Sequence, residues 1–244
     1  MSAHDVRLFG DQVAASRVES KFARLDATAL LRLAIIGLYP GRIALVSSFG
    51  ADSAVLLHMI AQVDKATPVV FVDTGQHFPE TLAYRDALVD RLGLANVIAR
   101  RPDAATLAAE DPENFLFASD PDRCCDIRKV EPLSRALEPY EAWITGRKAF
   151  QSATRAELPL FEAEGERVKI NPLAGWSATD LLDYIRKADL SAHPLVAKGF
   201  LSIGCLPCTS PVRFGEDIRA GRWRGRGKVE CGIHTETLNS GSDI

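Results

Sequence analysis

The residues with the greatest chemical reach in this 244-residue chain are its five cysteines, all of which lie after residue 120. Cys124 and Cys125 are neighbours, Cys205 and Cys208 form a C-x-x-C, and Cys231 stands alone in a Gly- and Arg-rich stretch. Neighbouring cysteines do not readily bridge each other. Consecutive Cα atoms are about 3.8 Å apart, short of the roughly 4.4–6.8 Å of a disulfide. An odd total does not suit a disulfide framework either, which leaves metal binding or thiol chemistry. The two close pairs together offer four thiolates, a set that suits a [4Fe–4S] cluster or a structural zinc. Arg128 and Lys129 follow Cys125 by about one helical turn, so a cation can sit beside these sulfurs. Cys231, among Arg and Lys residues, is either a spare surface cysteine or, where exposed, a thiol of lowered pKa and good nucleophilicity.

The elements that must position these residues alternate along the chain. An amphipathic helix in Ala27–Gly41 precedes GRIALVSSFG, a buried strand that runs into a small-residue loop. ADSAVLLHMIAQV then has helical apolar spacing, and TPVVFVDTG is a second uninterrupted apolar strand. The helix HFPETLAYRDALVDRLGL, the strand ANVIAR, a helix from about Cys124 to Leu137 and the strand EAWITG follow. Continuous apolar strands alternating with helices predict an α/β fold, a parallel twisted sheet flanked by helices on both faces. Ligands of such sheets bind beyond the carboxyl ends of the strands, where Ser47–Ser53, Asp73–Gly75 and Gly146–Arg155 fall. GWSATDLLDYIRKADL reads as a last helix capped by Ser177. The final forty or so residues are poor in apolar side chains and predict an irregular, mobile C-terminal tail. The expected organisation is one domain over 1–210 that binds nucleotide and cluster, and an Arg-rich catalytic tail over 211–244.

Composition narrows the function. Apolar residues make up 47% and charged ones 25%, as in an ordinary globular protein. No stretch approaches the ~18 uncharged apolar residues of a membrane span. The N-terminal residues lack the order of a secretory signal, so a cytoplasmic protein without membrane partners is expected. A net charge of −3 does not suit a general nucleic-acid binder, although Arg219–Lys228 carries five cations and no acid.

The loop SSFGADS resembles the pyrophosphate loop of the N-type ATP pyrophosphatases, usually written S-G-G-x-D-S. Phe49 stands where the middle glycine is expected, which weighs against ATP cleavage, while Ser47, Ser48, Gly50 and Ser53 keep an anion site. With VDTGQHFPET, CCDIRK, WITGRKAFQSATR, GCLPCT and ECGIH, the chain from about residue 40 to His234 resembles the assimilatory sulfonucleotide reductases. These reduce adenylyl sulfate (APS) or its 3′-phosphorylated form (PAPS) to sulfite.

The resemblance implies the adenine nucleotide alpha hydrolase-like, PP-loop fold. It implies a [4Fe–4S] cluster on Cys124, Cys125, Cys205 and Cys208, a version of the family that generally prefers APS. It implies Cys231 as the nucleophile that forms an S-sulfocysteine, resolved by thioredoxin or glutaredoxin. Substrate cations are expected at Lys129, Arg155, Arg219 and Arg222, with His234 near the sulfate. Ser47, Ser48, Gly50 and Ser53 take the nucleotide side, and Asp73, Thr74 and Gly75 lie near the ribose. His58 and His77 are expected outside the site, and self-association is left open. The rivals are a PAPS reductase, an ATP-using PP-loop ligase or tRNA sulfurtransferase, and a non-enzymatic iron–sulfur sensor or zinc-stabilised binding protein.

Overall fold

The computed structural model of the chain describes residues 22, 25–152 and 155–234. The ends of both expected domains therefore lie partly outside the described residues. Six strands form one sheet: β1 Ile43–Val46, β2 Val69–Val72, β3 Val97–Arg100, β4 Ala142–Ile144, β5 Phe161–Glu164 and β6 Arg167–Ile170. Their order is β3-β2-β1-β4-β6-β5. All neighbours are parallel except the hairpin β5–β6 at one edge. The sheet is therefore mostly parallel, and the antiparallel edge is an addition to the sequence expectation.

Period-2 alternation explains why both faces are covered. Ile43 and Leu45 of β1, Val69 and Phe71 of β2, and Ala142 and Ile144 of β4 point into one core. That core is closed by α1 (Ala27–Arg32), α2 (Ser53–Val63) and α3 (Pro79–Leu92). The intervening Ala44, Val70 and Trp143 point the other way, onto Leu133, Ala136 and Leu137. No described helix is long and apolar enough to cross a membrane.

The helix that carries the cysteine pair starts earlier than its sequence suggests. Asp120 caps it by accepting from the Arg123 N–H, Pro121 opens it, and α4 (Pro121–Cys125) runs into a wide π turn at Asp126–Val130. α5 (Glu131–Leu137) then continues to the sheet. The last helix, α6 (Ala178–Lys187), is capped by Ser177 as expected, in a reciprocal box with Asp180.

The chain leaves β1 toward β2 and β3 on one side, and reaches β4 on the other. The point where the order reverses lies between β1 and β4. The loops beyond their carboxyl ends open there into a crevice, where open α/β sheets bind ligands.

Candidate active site

A cavity of about 240 Å³ occupies that crevice. Ser47, Ser48, Gly50 and Ser53 line it from the β1 loop, Thr74 from the β2 loop, and Lys129 from the π turn. Arg155, Arg219, Arg222, Cys231 and His234 line it from later in the chain. Residues scattered over nearly two hundred positions thus share one wall. Asp73 and Gly75 are not part of it. The Asp73 carboxylate turns back to accept from the Gly75 N–H at 3.1 Å and from Arg101 Nε at 2.9 Å.

Phe49 has φ +48°, in the left-handed region that favours glycine. Its ring is fully buried and meets Phe71 edge to face at 5.6 Å. The substitution therefore keeps the backbone path of a glycine and spends the side chain on the core. Beyond it, α2 begins at Ser53 with no side-chain cap, and its first turn is closed by the backbone instead: Ser53 N donates to the Gly50 carbonyl at 3.2 Å and Val55 N to the Asp52 carbonyl at 3.3 Å. Lys148, buried beside this loop, donates to Asp52 Oδ2 at 3.1 Å.

The cysteine pairs meet behind Lys129. Cys124, Cys125 and Cys205 are buried and Cys208 half-buried, none in a disulfide. The chain around Cys205 is pinned to the β2 loop: it bridges His77, Leu206 N donates to the Gln76 carbonyl at 2.7 Å, and Thr74 Oγ1 lies 3.3 Å from Cys205 Sγ. The four thiols are close enough to feel one another's charge. Burial, reinforced by Cys125, pushes Cys124 up to about 12, and burial likewise raises Cys125 and Cys208. Cys205 goes the other way: burial opposes its thiolate, but Lys129, the Thr74 hydroxyl and Arg222 outweigh it. Lys129 answers in kind. Burial disfavours its charge, yet Cys205, Cys231 and Cys125 raise its pKa. Among the described residues no three of Cys, His, Asp or Glu come together closely enough to grip a single ion.

The described part of the tail, residues 211–234, is irregular as expected and is laid on the domain. Ser210 N donates to the Gly221 carbonyl at 2.9 Å, and Trp223 N to the Cys208 carbonyl at 3.0 Å. Lys228 pairs with Asp122, and Arg226 donates to the Phe117 carbonyl. Ile233 packs on the second face of the sheet, and His234 stacks parallel on Trp143 at 5.6 Å. Cys231 is half-buried and lines the cavity.

The cations divide into two kinds. Arg155 and Arg219 both hold Glu230, the residue before Cys231. Lys129 and Arg222 have no carboxylate partner among the described residues, and Arg222 Nε is buried without any hydrogen-bond partner. Arg222 reaches its place only because Gly204 has no side chain. A Cβ there would stand 2.5 Å from the guanidinium carbon, which also lies 4.4 Å from the centre of the Trp223 ring. His234 is kept neutral. Burial, together with Arg147, Lys169, Arg155 and Arg219, holds its pKa well below the usual imidazole range, and its Nδ1 has no hydrogen-bond partner among the described residues.

Sequence reasoning missed Glu230, Gly204, Trp223 and Lys148. Glu230 was visible only as the first letter of ECGIH, and nothing local says that it faces Arg155. His77, expected outside, lines the cavity, but its Nε2 is engaged with the Val72 carbonyl at 3.0 Å. His58 bonds the Tyr184 hydroxyl at 2.9 Å and lies away from the cavity wall.

The phosphoadenosine phosphosulfate reductase domain matches residues 42–211. An adenosine 5′-phosphosulfate reductase from Chelativorans sp. (strain BNC1) is 54% identical over 230 residues, 94% of each chain. A phosphoadenosine 5′-phosphosulfate reductase from Gloeobacter violaceus is 40% identical over 92% of this chain and 95% of its own. The crystal structure of a PAPS reductase from Candida auris, a phosphate complex, superposes with a TM-score of 0.70 at 26% identity, covering 83% of this chain and 98% of that one. With the matching sheet and the cavity at its switch point, the chain belongs to the phosphoadenosine phosphosulfate reductase family of oxidoreductases.

Proposed function

We propose that this chain reduces adenylyl sulfate to sulfite and AMP, with Cys231 as nucleophile. One observation carries the reading: Cys231 shares a cavity with the small-residue loop and with Lys129 and Arg222, two cations that lack a carboxylate partner among the described residues. A buried guanidinium with an unpaired N–H calls for an anion. The small-residue β1 loop suits the nucleotide phosphate, with Thr74 toward the ribose side. Lys129 and Arg222, joined by the neutral His234 imidazole, suit the sulfuryl oxygens, and Arg155 and Arg219 suit the phosphate oxygens that AMP keeps.

The reaction divides into two displacements. The Cys231 thiolate attacks the sulfuryl sulfur, the S–O bond to phosphate breaks, and AMP leaves with the electron pair. Cys231 then carries an S-sulfo group, whose charge Lys129 and Arg222 offset. A thiolate of an external dithiol protein of the thioredoxin or glutaredoxin type attacks Cys231 Sγ and expels sulfite. The partner's second thiol closes its own disulfide and frees Cys231, so the two electrons come from that dithiol.

Cys124, Cys125, Cys205 and Cys208 would hold a [4Fe–4S] cluster. Four unbridged cysteines, three buried and one half-buried, supply the four thiolates that such a cluster takes. The buried Trp223 Nε1, which lacks an acceptor although Trp223 N bonds the Cys208 carbonyl, also fits a sulfur-rich group there. When bound, the cluster supplies fixed charge beside Lys129.

The test is peptide mass spectrometry of the cluster-loaded chain after incubation with APS or PAPS and no reductant, with iron and sulfide counted in the same preparation. The expected result is a sulfo adduct on Cys231 from APS, absent in Cys231→Ser. Adduct formation with PAPS in preference to APS would move the substrate to the phosphorylated nucleotide, as the Gloeobacter relative is named. No adduct from either would sink the mechanism.

A further inference from the structure

Arg155, Arg219 and Glu230 form an ion-paired group on the cavity wall. Arg155 Nε and Nη2 reach the two oxygens of Glu230 at 3.1 and 3.0 Å, and Arg219 Nη2 reaches the same carboxylate at 3.2 Å. The remaining Arg155 donor group, Nη1, bonds Gln151 Oε1 at 2.8 Å. Only 10% of the Arg155 side chain and 16% of the Arg219 side chain is exposed. Two enclosed guanidinium groups would be costly without a counter-charge, and the chain supplies one from its own tail.

We infer that Glu230 is a specificity-determining residue, a stand-in anion in the Arg155–Arg219 pair that a ligand replaces only by bringing a phosphate or sulfuryl group of its own. This rests on the reading of the cavity as an anionic-nucleotide site. A phosphate or sulfuryl group presents the same pair of oxygens to a guanidinium fork as a carboxylate does, so the exchange conserves the hydrogen bonds. A neutral ligand cannot make it, because both guanidinium groups would be left unpaired. Glu230 directly precedes Cys231, so the exchange also unties the segment that carries the thiol. Entry of the anion and release of the nucleophile's tether become one event.

The experiment compares AMP and adenosine by calorimetry on the full, cluster-loaded chain and on Glu230→Gln, with Glu230→Asp as a second variant that keeps the charge but shortens the reach. Glu230→Gln is expected to bind AMP at least about fivefold more tightly and adenosine unchanged, because only the anion competes with the carboxylate. Glu230→Asp should fall between. In parallel, iodoacetamide labelling of Cys231, read by peptide mass, should be faster in Glu230→Gln than in the parent chain, and AMP should accelerate it only in the parent. AMP binding that is unchanged or weaker in Glu230→Gln overturns the inference, as does an equal shift for adenosine. If AMP binds neither form, the nucleotide reading itself fails. The stand-in is then judged by labelling alone, and unchanged Cys231 reactivity in both variants overturns it.

Discussion

Single residues in this site serve positions that their sequence context does not announce. Phe49 is the clearest case. A left-handed backbone costs a non-glycine residue about 1–2 kcal/mol, and the fully buried ring against Phe71 more than offsets it. Phe49→Ala keeps the strain and loses the ring, for an expected loss of about 3–5 kcal/mol. Phe49→Gly loses the same ring but relaxes the backbone, so it should be the less damaging variant by about 1 kcal/mol. Urea denaturation of the two variants checks this, and a Phe49→Gly as unstable as Phe49→Ala would mean that φ stores no strain there. From the sequence, Phe49 was a departure from a phosphate-loop pattern. Its conformation shows that the loop path survives the change.

At the scale of elements, the π turn at Asp126–Val130 carries Lys129 between the cysteine pair and the cavity. Wide turns of this kind are frequent at functional sites because they break the regular spacing of a helix. A straight helix was predicted through this stretch, since apolar spacing does not register one extra backbone hydrogen-bond step. The β5–β6 hairpin was missed for a different reason. Phe161–Glu164 and Arg167–Ile170 mix charged and apolar residues, unlike the apolar runs of the central strands.

His193 fastens the segment before Cys205 to α3 and gives an element-scale prediction. Its Nδ1 accepts from Leu195 N at 3.1 Å, and its Nε2 lies 3.1 Å from Thr81 Oγ1. Burial lowers its pKa to about 4 against the ordinary 6.5, with Glu80 opposing weakly. The unfolded chain therefore binds this proton first. The stabilisation is complete above pH 6.5 and is lost as pH falls toward 4. Across that window the chain should lose about 3 kcal/mol that His193→Gln does not lose. Denaturation midpoints at several pH values measure it, and parallel curves for the two proteins would refute the assignment.

The whole molecule is completed by the docking of its tail. Residues 211–234 touch the domain at the C-x-x-C, at α4 and on the far face of the sheet beside Trp143. Gly221 is the tightest of these contacts, because a Cβ there would collide with the Ser210 carbonyl oxygen, a backbone atom with little room to yield. Gly221→Ala is expected to lift the tail while leaving the core folded. Limited proteolysis should then cut after residue 211 at least about tenfold faster, with the melting temperature lowered only slightly. Unchanged cleavage would show that the tail is held mainly by its ion pairs.

The sequence by itself determined the alternating α/β order, the three loops at the carboxyl ends of the strands, and the cysteines and cations of the site. Each of these is local: a run of apolar residues, a cluster of small ones, a pair of thiols. Tertiary structure alone decided which cations lack a carboxylate partner among the described residues. Glu230 meets Arg155 across 75 positions, and Arg222 rests on Gly204 because the tail folds back. Pairing between residues so far apart depends on where the sheet reverses its order and how the tail crosses it, and no local pattern encodes that.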